Sequence, residues 1–429
     1  MTNSVRCWWR HGIFYQIYPR SFQDSDADGV GDIAGVIERL PYLLALGIDA
    51  VWLSPVFPSP MADFGYDISN YAGIDPVFGT MEDFDVLTKA AHQTGLKIIL
   101  DLVPNHTSDQ HPWFVESRSS RDNPKRDWYI WRDPGPNGRP PNNWLSDFEF
   151  LCRVLIGEIY LPFERLVTYY GKDLAGAHLP FNFALLLVPW NARAIEKIIR
   201  DYEAALPAGA WPNWVLGNHD RPRVASRVGK AQARIAAMLL LTLRGTPTLY
   251  YGDEIGMQQV AIAPDQVRDP FEKNVPGIGV GRDGCRTPMQ WDASSYAGFS
   301  TAAPWLPLSD DFNRENVVNL AADSRSILNL YKALIGLRKR LPQLVSGSYV
   351  PIAAEGDLLL YRRQCESEPV VIALNLGAEP VSIASDAIGL SGEILLSTFL
   401  DRQGEKIHGS LDLRGDEGVI IGASVAQAG

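Results

Sequence analysis

The sequence predicts an α/β protein in which a TIM-type (β/α)8 barrel, lacking one βα unit, is followed by a small all-β region. Three observations predict it. From residue 13 onward, short apolar strands alternate with amphipathic helices, the mark of βα units around a parallel sheet. Seven strand signals precede residue 342, whereas a closed barrel of this kind needs eight, each followed by a helix. After Pro342 the pattern changes to short alternating strands broken by turn residues. On this reading 1–342 form the barrel, 104–150 are a shortened excursion after its third strand, and 343–429 form a β-sandwich-like C-terminal domain.

IFYQIY (13–18) and AVWLS (50–54) are the first two strands, and LKIILDLV (96–103) is the third. Before the third, MEDFDVLTKAAHQ carries apolar residues at 81, 84, 87 and 91, a helical stripe, and Thr80 with Asp83 makes an N-terminal capping box. Residues 104–150, rich in Pro, Asn, Asp, Arg and Trp, form the excursion, and stretches that long inside a compact domain are usually functional. RVLIGEI (153–159) follows with no helix in between, so Leu151 and Cys152 become the seam that turns the chain back into the sheet. HLPFNF (178–183), NWVLGN (213–218) and PTLYYG (247–252) complete the strands. WNARAIEKIIRDYEAAL, AQARIAAMLLLTL and SILNLYKALIGLRKRL are further helices, and YVPIAA, LLLYRRQ, PVVIALNL, GEILLSTFL and GVIIGAS are the C-terminal strands.

At 429 residues with 46% apolar and 21% charged residues, the chain can bury a full-sized core. Its net charge of −11 disfavours nucleic acid and anionic membrane as partners, and a neutral small molecule fits better. The start, MTNSVRCWWRHG, has no apolar targeting segment, and the longest apolar runs are too short to span a bilayer. A cytoplasmic protein is expected. Cys7, Cys152, Cys285 and Cys365 lack C-x-x-C spacing, which suggests neither a disulfide framework nor a zinc site.

Polar groups gather where strands end: Asp101 to His106 in DLVPNH, Glu158 in IGEI, and Asn218, His219 and Asp220 in GNHD. In a parallel barrel that face is where catalytic groups converge. Any one of these acids could be a helix cap or a loop ion pair; three strands ending this way favour a site. Near the start, DSDADGVGD (24–32) places acids at 24, 26, 28 and 32 with glycines between, a spacing that folds hard oxygen ligands around calcium or magnesium. The twelfth position is Gly35 rather than Glu, so the loop is not an EF-hand.

DLVPNH, IGEI and GNHD, in that order, with FYQIYPRSFQDSDADGVGD before them and CRTPMQWD (285–292) after them, resemble the α-amylase family of glycoside hydrolases, most of all its α-glucosidase and oligo-glucosidase members. The resemblance covers nearly the whole chain. It implies an enzyme acting on short α-glucosides by a retaining two-carboxylate mechanism, with Glu158 as general acid/base and Asp220 as the carboxylate that stabilises the transition state. His106 and His219 would hydrogen-bond the sugar, and Asp63, Tyr66 and Arg282 would close the pocket on its non-reducing end. It also implies a structural divalent cation, held by Asp24, Asp26, Asp28 and Asp32 with the carbonyl of Val30, and no organic cofactor.

One departure bears on mechanism. A retaining glycosidase needs a nucleophilic carboxylate about 5–5.5 Å from the acid, and the family carries it on the fourth strand in a motif of the form G-F-R-x-D. This sequence has no such motif. Asp101 and Glu158 are 57 positions apart and 104–150 takes most of that span, leaving no room for a βαβ unit of roughly 30 residues. The fourth strand is therefore expected to be missing, Asp101 to lose its partner, and activity to be impaired. Two other readings follow: a non-catalytic sugar-binding or interaction protein on the same scaffold, and a glucosyl-transfer or trehalose-forming relative.

Overall fold

The computed structural model describes residues 7–132, 156–274, 276, 277, 279, 281–384, 392–407 and 409–423. The barrel strands are β1 (Phe14–Ile17), β2 (Ala50–Leu53), β3 (Lys97–Leu100), β4 (Ile156–Ile159), β5 (Leu179–Asn182), β6 (Asn213–Val215) and β7 (Thr246–Tyr250). All pair in parallel, in a five-stranded sheet ordered β3-β2-β1-β7-β6 and a separate pair, β4-β5. Packing inside the ring joins the two sheets: Trp52 of β2 stacks on Phe181 of β5 at 5.2 Å, in a cluster with Phe183, Leu186 and Val215.

Among the described residues, nothing pairs β3 with β4. Burial marks the same place. The strands β1, β2, β5 and β7 are buried at every position, whereas Leu100 and Leu102 at the end of β3 are 40% and 45% exposed and Glu158 in β4 faces solvent. A strand inside a closed parallel barrel is covered on both faces, so among the described residues the ring of strands is interrupted between β3 and β4, and β5 and β6 also adjoin without a hydrogen-bonded pairing. The seam expected at Leu151 and Cys152 lies outside the described residues.

Six helices of eight or more residues lie among the described ones. Helix α1 (Ile33–Leu46) starts at the Asp32 cap, whose Oδ1 accepts the Gly35 N–H at 2.6 Å, and ends at Gly47 with φ +94°. Pro41 inside it hides the helix from a sequence reading, because proline interiors normally break helices. Helix α2 (Met81–Gln93) has the expected capping box of Thr80 and Asp83. Helix α3 (Pro112–Ser119) lies in the excursion, and α4 (Ala192–Ala205), α5 (Lys230–Thr242) and α6 (Ile327–Arg340) follow.

Five further strands, β8 (Ser348–Glu355), β9 (Leu358–Gln364), β10 (Val370–Asn375), β12 (Gly392–Ser397) and β15 (Gly418–Ala423), arise where alternation predicts them. With β13 (Lys406–Ile407) they form an antiparallel sheet ordered β13-β12-β15-β10-β9-β8, and β11 (Val381–Ala384) pairs with β14 (Ser410–Leu413). The period-two rule sorts the faces. Leu359, Tyr361, Ile372, Leu374 and Ile420 join the barrel's core, while Leu360, Val371, Ala373, Val419 and Ile421 meet Leu411 and Leu413 of β14. Strands β11, β13 and β14 are too short or too polar to register as strand signals.

Helix α5 lies between the barrel and this sheet, with residues 235–242 all buried. Gly418 of β15 lets it approach: a Cβ there would meet Leu374 at 2.7 Å and the Met238 sulfur at 3.0 Å. At the helix's C-terminal end, Arg338 of α6 donates to the carbonyls of Leu241 (2.9 Å) and Leu243 (3.0 Å), and Arg363 of β9 donates to that of Thr242. These cations take orphan carbonyls at the negative end of the helix dipole.

Two acids follow β7 inside this core. Glu254 accepts the hydroxyls of Tyr15 (2.7 Å) and Tyr42 (2.6 Å). Burial pushes the carboxyl of Asp253, 3% exposed, up to about 7, although Arg223 pulls the other way. Its folded value lies above the unfolded one of about 3.9. Its contribution to stability is therefore full below about pH 4 and is lost, by about 1.4 kcal/mol per pH unit, as pH rises towards 7, where the loss levels off. Asp253→Asn is expected to flatten this dependence; urea midpoints of parent and variant at pH 5 and 7 that fall in parallel would contradict it.

Candidate active site

Every candidate residue sits past the carboxyl end of a barrel strand or on the last turn of one. Asp63 and Tyr66 follow β2, Asp101 and His106 follow β3, Glu158 lies in β4, His219 and Asp220 follow β6, and Arg282 sits on the long loop after β7. The barrel's parallel order brings these loops to one end of the sheet.

At the centre stands His219, 2% exposed, between two parallel rings, with Tyr66 at 5.1 Å and Tyr18 at 6.0 Å. The Gln16 amide lies 2.9 Å from its Nδ1, which assigns the imidazole proton to Nε2 when Gln16 donates. Burial pushes this histidine down to about 4, so it is a neutral hydrogen-bonding group at pH 7. His106 reaches the same neighbourhood from outside. Its Nε2 lies 2.9 Å from the Tyr66 carbonyl and its side chain is exposed.

Arginines set the charge of the acids. Arg286, 1% exposed, donates from Nη2 to Asp220 Oδ1 at 3.0 Å and from Nε to the His219 carbonyl at 2.8 Å. Arg282 reaches Asp220 at 3.4 Å and Asp63 at 2.6 Å. Burial alone would raise the Asp220 carboxyl, but His219, Arg286 and Arg282 hold it below the ordinary carboxylate range. It is ionised and pinned. Arg282 is itself positioned by Asp269, a fully buried acid that accepts its backbone N–H at 2.6 Å, its Nε at 3.0 Å and its Nη2 at 2.8 Å.

Glu158 has the opposite character. The protein massed around the cleft floor, with the charges of Asp101 and Asp220, pushes its carboxyl up to about 8. The side chain is exposed, however, and screening by solvent lessens this rise without cancelling it. Asp101 is pushed up to about 6, by burial first, while the Tyr66 hydroxyl donates to its Oδ2 at 3.0 Å. The expectation that Asp101 would lose its partner is therefore corrected: Tyr66 supplies a hydrogen bond that the sequence did not show.

The structure brings Asp63, Tyr66, His219, Asp220 and Arg282 into one hydrogen-bonded and stacked group, with Asp101 joined through Tyr66. Glu158 is coupled to it by charge, and His106 stands at its rim. Asp269, Arg286, Gln16 and Tyr18 belong to it and were missed. Arg286 lies within the CRTPMQWD stretch, but nothing in residue spacing marks Asp269.

In the acidic loop, oxygens of Asp24, Asp26 and Asp28 lie within 4.8 Å of one another. Asp24 is buried and the other two are exposed. Slight burial and the charges of Asp28, Asp32 and Asp24 raise the Asp26 carboxyl, a repulsion that a cation would relieve. Three converging carboxylates are a donor set fit for a hard divalent ion. Asp32 also caps α1 and accepts the Ser25 N–H (2.8 Å) and hydroxyl (2.9 Å). The Val30 N–H donates to Asp28 at 2.7 Å. Gly29, at φ +88°, permits the loop's close packing on the chain opposite, because a Cβ there would meet the Ala303 carbonyl at 2.3 Å.

A parallel barrel that gathers carboxylates, arginines and a neutral histidine at the carboxyl ends of its strands has the architecture of a barrel hydrolase. The chain belongs to the α-amylase family of glycoside hydrolases: the family's catalytic domain matches residues 16–152 and 150–347. A probable α-glucosidase of Rhizobium meliloti is 34% identical over 500 residues, covering 87% of this chain and 90% of that protein. An oligo-1,6-glucosidase of Parageobacillus thermoglucosidasius is 32% identical, covering 92% and 95%. Among solved structures, the trehalulose synthase MutB of Pseudomonas mesoacidophila MX-45 superposes with a TM-score of 0.88 at 28% identity, covering 97% of this chain and 99% of that one. An α-glucosyl transfer enzyme, XgtA, does so with a TM-score of 0.89 at 32% identity over 97% and 99%. The two stretches of the family match meet at 150–152, and an alignment of 500 positions that uses 87% of a 429-residue chain leaves a long piece of the Rhizobium protein without a counterpart here. No helix among the described residues is long and apolar enough to cross a membrane.

Proposed function

We propose that this chain is an α-glucosidase-type family member that binds the terminal glucosyl unit of short α-glucosides but lacks the carboxylate that would attack the anomeric carbon. The observation that carries this reading is that, among the described residues, nothing pairs β3 with β4, beside which Glu158 stands exposed. With its raised carboxyl, Glu158 suits the role of general acid, and Asp220, held ionised by two arginines, suits that of stabilising positive charge on the sugar. The Asp63–Arg282 bridge closes one end of the pocket, which favours a chain end as substrate over an internal glucosyl unit. The third role, attack on the anomeric carbon, has no free candidate among the described residues of the site: Asp220 is engaged by Arg286, and Asp101 accepts from Tyr66. Turnover of an aryl α-glucoside, compared between this chain and its Glu158→Gln variant, tests the reading. Acid-dependent hydrolysis at enzymatic rates overturns it.

The acidic loop is assigned one structural calcium or magnesium ion, held by Asp24, Asp26 and Asp28, with no organic cofactor. Bound there, the ion would neutralise the three carboxylates and hold the loop against the segment at 299–305. Millimolar calcium or magnesium is expected to stabilise the fold by mass action, by about 2.7 kcal/mol when free metal is a hundredfold above Kd, and so to raise the melting temperature. An Asp28→Ala protein that responds like the parent would contradict the assignment.

A further inference from the structure

Outside the candidate active site, a half-open cavity of about 310 Å³ is lined by Gln266, Arg268, Tyr296, Trp305 and the apolar chain from Pro304 to Leu308. It lies behind the closed end of the sugar pocket. Trp305 packs against Phe64, the neighbour of Asp63, at 5.4 Å, and Arg268 adjoins Asp269, which holds Arg282.

Three features make this cavity more than a surface dimple. Trp305 is fixed: its indole N–H donates to the Ser21 hydroxyl at 3.0 Å, and the Arg20 guanidinium lies over its ring at 5.6 Å. Its polar edge is thus satisfied within the protein. Tyr296 is held in an unfavourable backbone state, φ +55°, followed by Ala297 at φ +59°. Such conformations cost free energy for residues with a Cβ and persist only where the surroundings enforce them. Here the Ala297 carbonyl accepts from Trp291 (2.8 Å) and Asp292 (3.1 Å), and the enforced turn leaves a large aromatic side chain 37% exposed beside the cavity. Finally, the side chains of Gln266 and Arg268 have no hydrogen-bond or ion-pair partner among the described residues, while the Arg268 backbone N–H is anchored on Asp283 at 2.6 Å.

We propose that this cavity is a second saccharide site that takes one neutral glucosyl unit, independently of the pocket at Asp63 and Arg282. A pyranose presents an apolar C–H face and a rim of hydroxyls. The aromatic and proline surface suits the first, and the Gln266 amide and Arg268 guanidinium, with both donors and an acceptor, suit the second. The volume lies at the small end of ligand pockets, which run from about 300 Å³ upward, and so suits one ring and not a chain. Among the described residues Arg268 is the only charged one lining the cavity, and a phosphate or carboxylate would ordinarily engage more than one cation or a set of backbone N–H groups.

The test uses the full chain carrying Asp63→Ala, which removes the salt bridge of the first pocket, titrated with maltose and followed by calorimetry and tryptophan fluorescence. Saturable binding in the millimolar range is expected to persist. Adding Arg268→Ala, on an exposed loop where folding is not at stake, or Tyr296→Ala should weaken it at least tenfold. The proposal is overturned if Asp63→Ala alone abolishes all saccharide binding, or if Arg268→Ala in that background binds as tightly as its parent. The first pocket is judged separately: if Arg268→Ala in the otherwise unaltered chain removes every trace of binding, the second site stands and the reading of the first fails.

Discussion

Given an aryl α-glucoside, the chain is expected to release the phenol no faster than its own Glu158→Gln variant does. In a retaining glycosidase the leaving group departs as a carboxylate attacks, and the acid alone does not replace that partner. Removing the nucleophile of a hydrolase costs on the order of 10⁴- to 10⁶-fold in kcat. Misplacement of the acid adds to this: Glu158 lies on a strand that is paired only to β5 among the described residues, and a shift of about 1 Å can cost a hundredfold. Added azide or formate offers an independent check, since a small anion entering through the open edge can supply the missing attack. Rate recovery that requires Glu158 would show that the rest of the machinery is in place. Efficient hydrolysis without any added anion would point to Asp220, and then Asp101, as the attacking group.

Arg286→Met is expected to destabilise the fold by about 3 kcal/mol. The guanidinium is 1% exposed, lies over the Tyr18 ring at 5.2 Å, and satisfies both Asp220 and the His219 carbonyl. Removing one partner of a buried ion pair costs about 3–5 kcal/mol, because the other charge is left uncompensated. The low end applies here, since the Asp220 side chain is 31% exposed and Arg282 keeps a contact at 3.4 Å. Urea unfolding at pH 7 measures the loss, and Asp220→Asn in the same chain should return part of it. A variant as stable as the parent would mean that Asp220 is held by Arg282 and water alone.

The strand and helix order was legible in the sequence because buried parallel strands are short apolar runs and their helices carry 3.6-residue stripes. Counting strand signals led to the expectation of a missing fourth strand, and the exposure of Leu100 and Leu102 at the end of β3 accords with it among the described residues. Helix α1 was hidden by Pro41, and β11, β13 and β14 by brevity. In the site, acids at strand ends stood out because the barrel's geometry gives that position meaning. Asp269 could not stand out, since it acts on Arg282 across a loop whose path only the folded chain defines. Asp32 carries a role that its place in an acidic run did not show: a helix begins at the next residue and takes its carboxylate as a cap.

The arginines at the end of α5 have a consequence for how the molecule comes apart. Arg338 reaches that end from the barrel side, at the carbonyls of Leu241 and Leu243, and Arg363 from the C-terminal sheet, at the Thr242 carbonyl between them, so both halves hold one helix end and parting them leaves the Thr242 carbonyl and the Arg363 guanidinium without each other. A barrel with an open side would ordinarily fray from its free edge. Here the slowest-exchanging amides should lie in α5, and the whole chain should lose its structure in a single cooperative transition, the C-terminal sheet acting as the clasp that keeps an interrupted ring from unravelling.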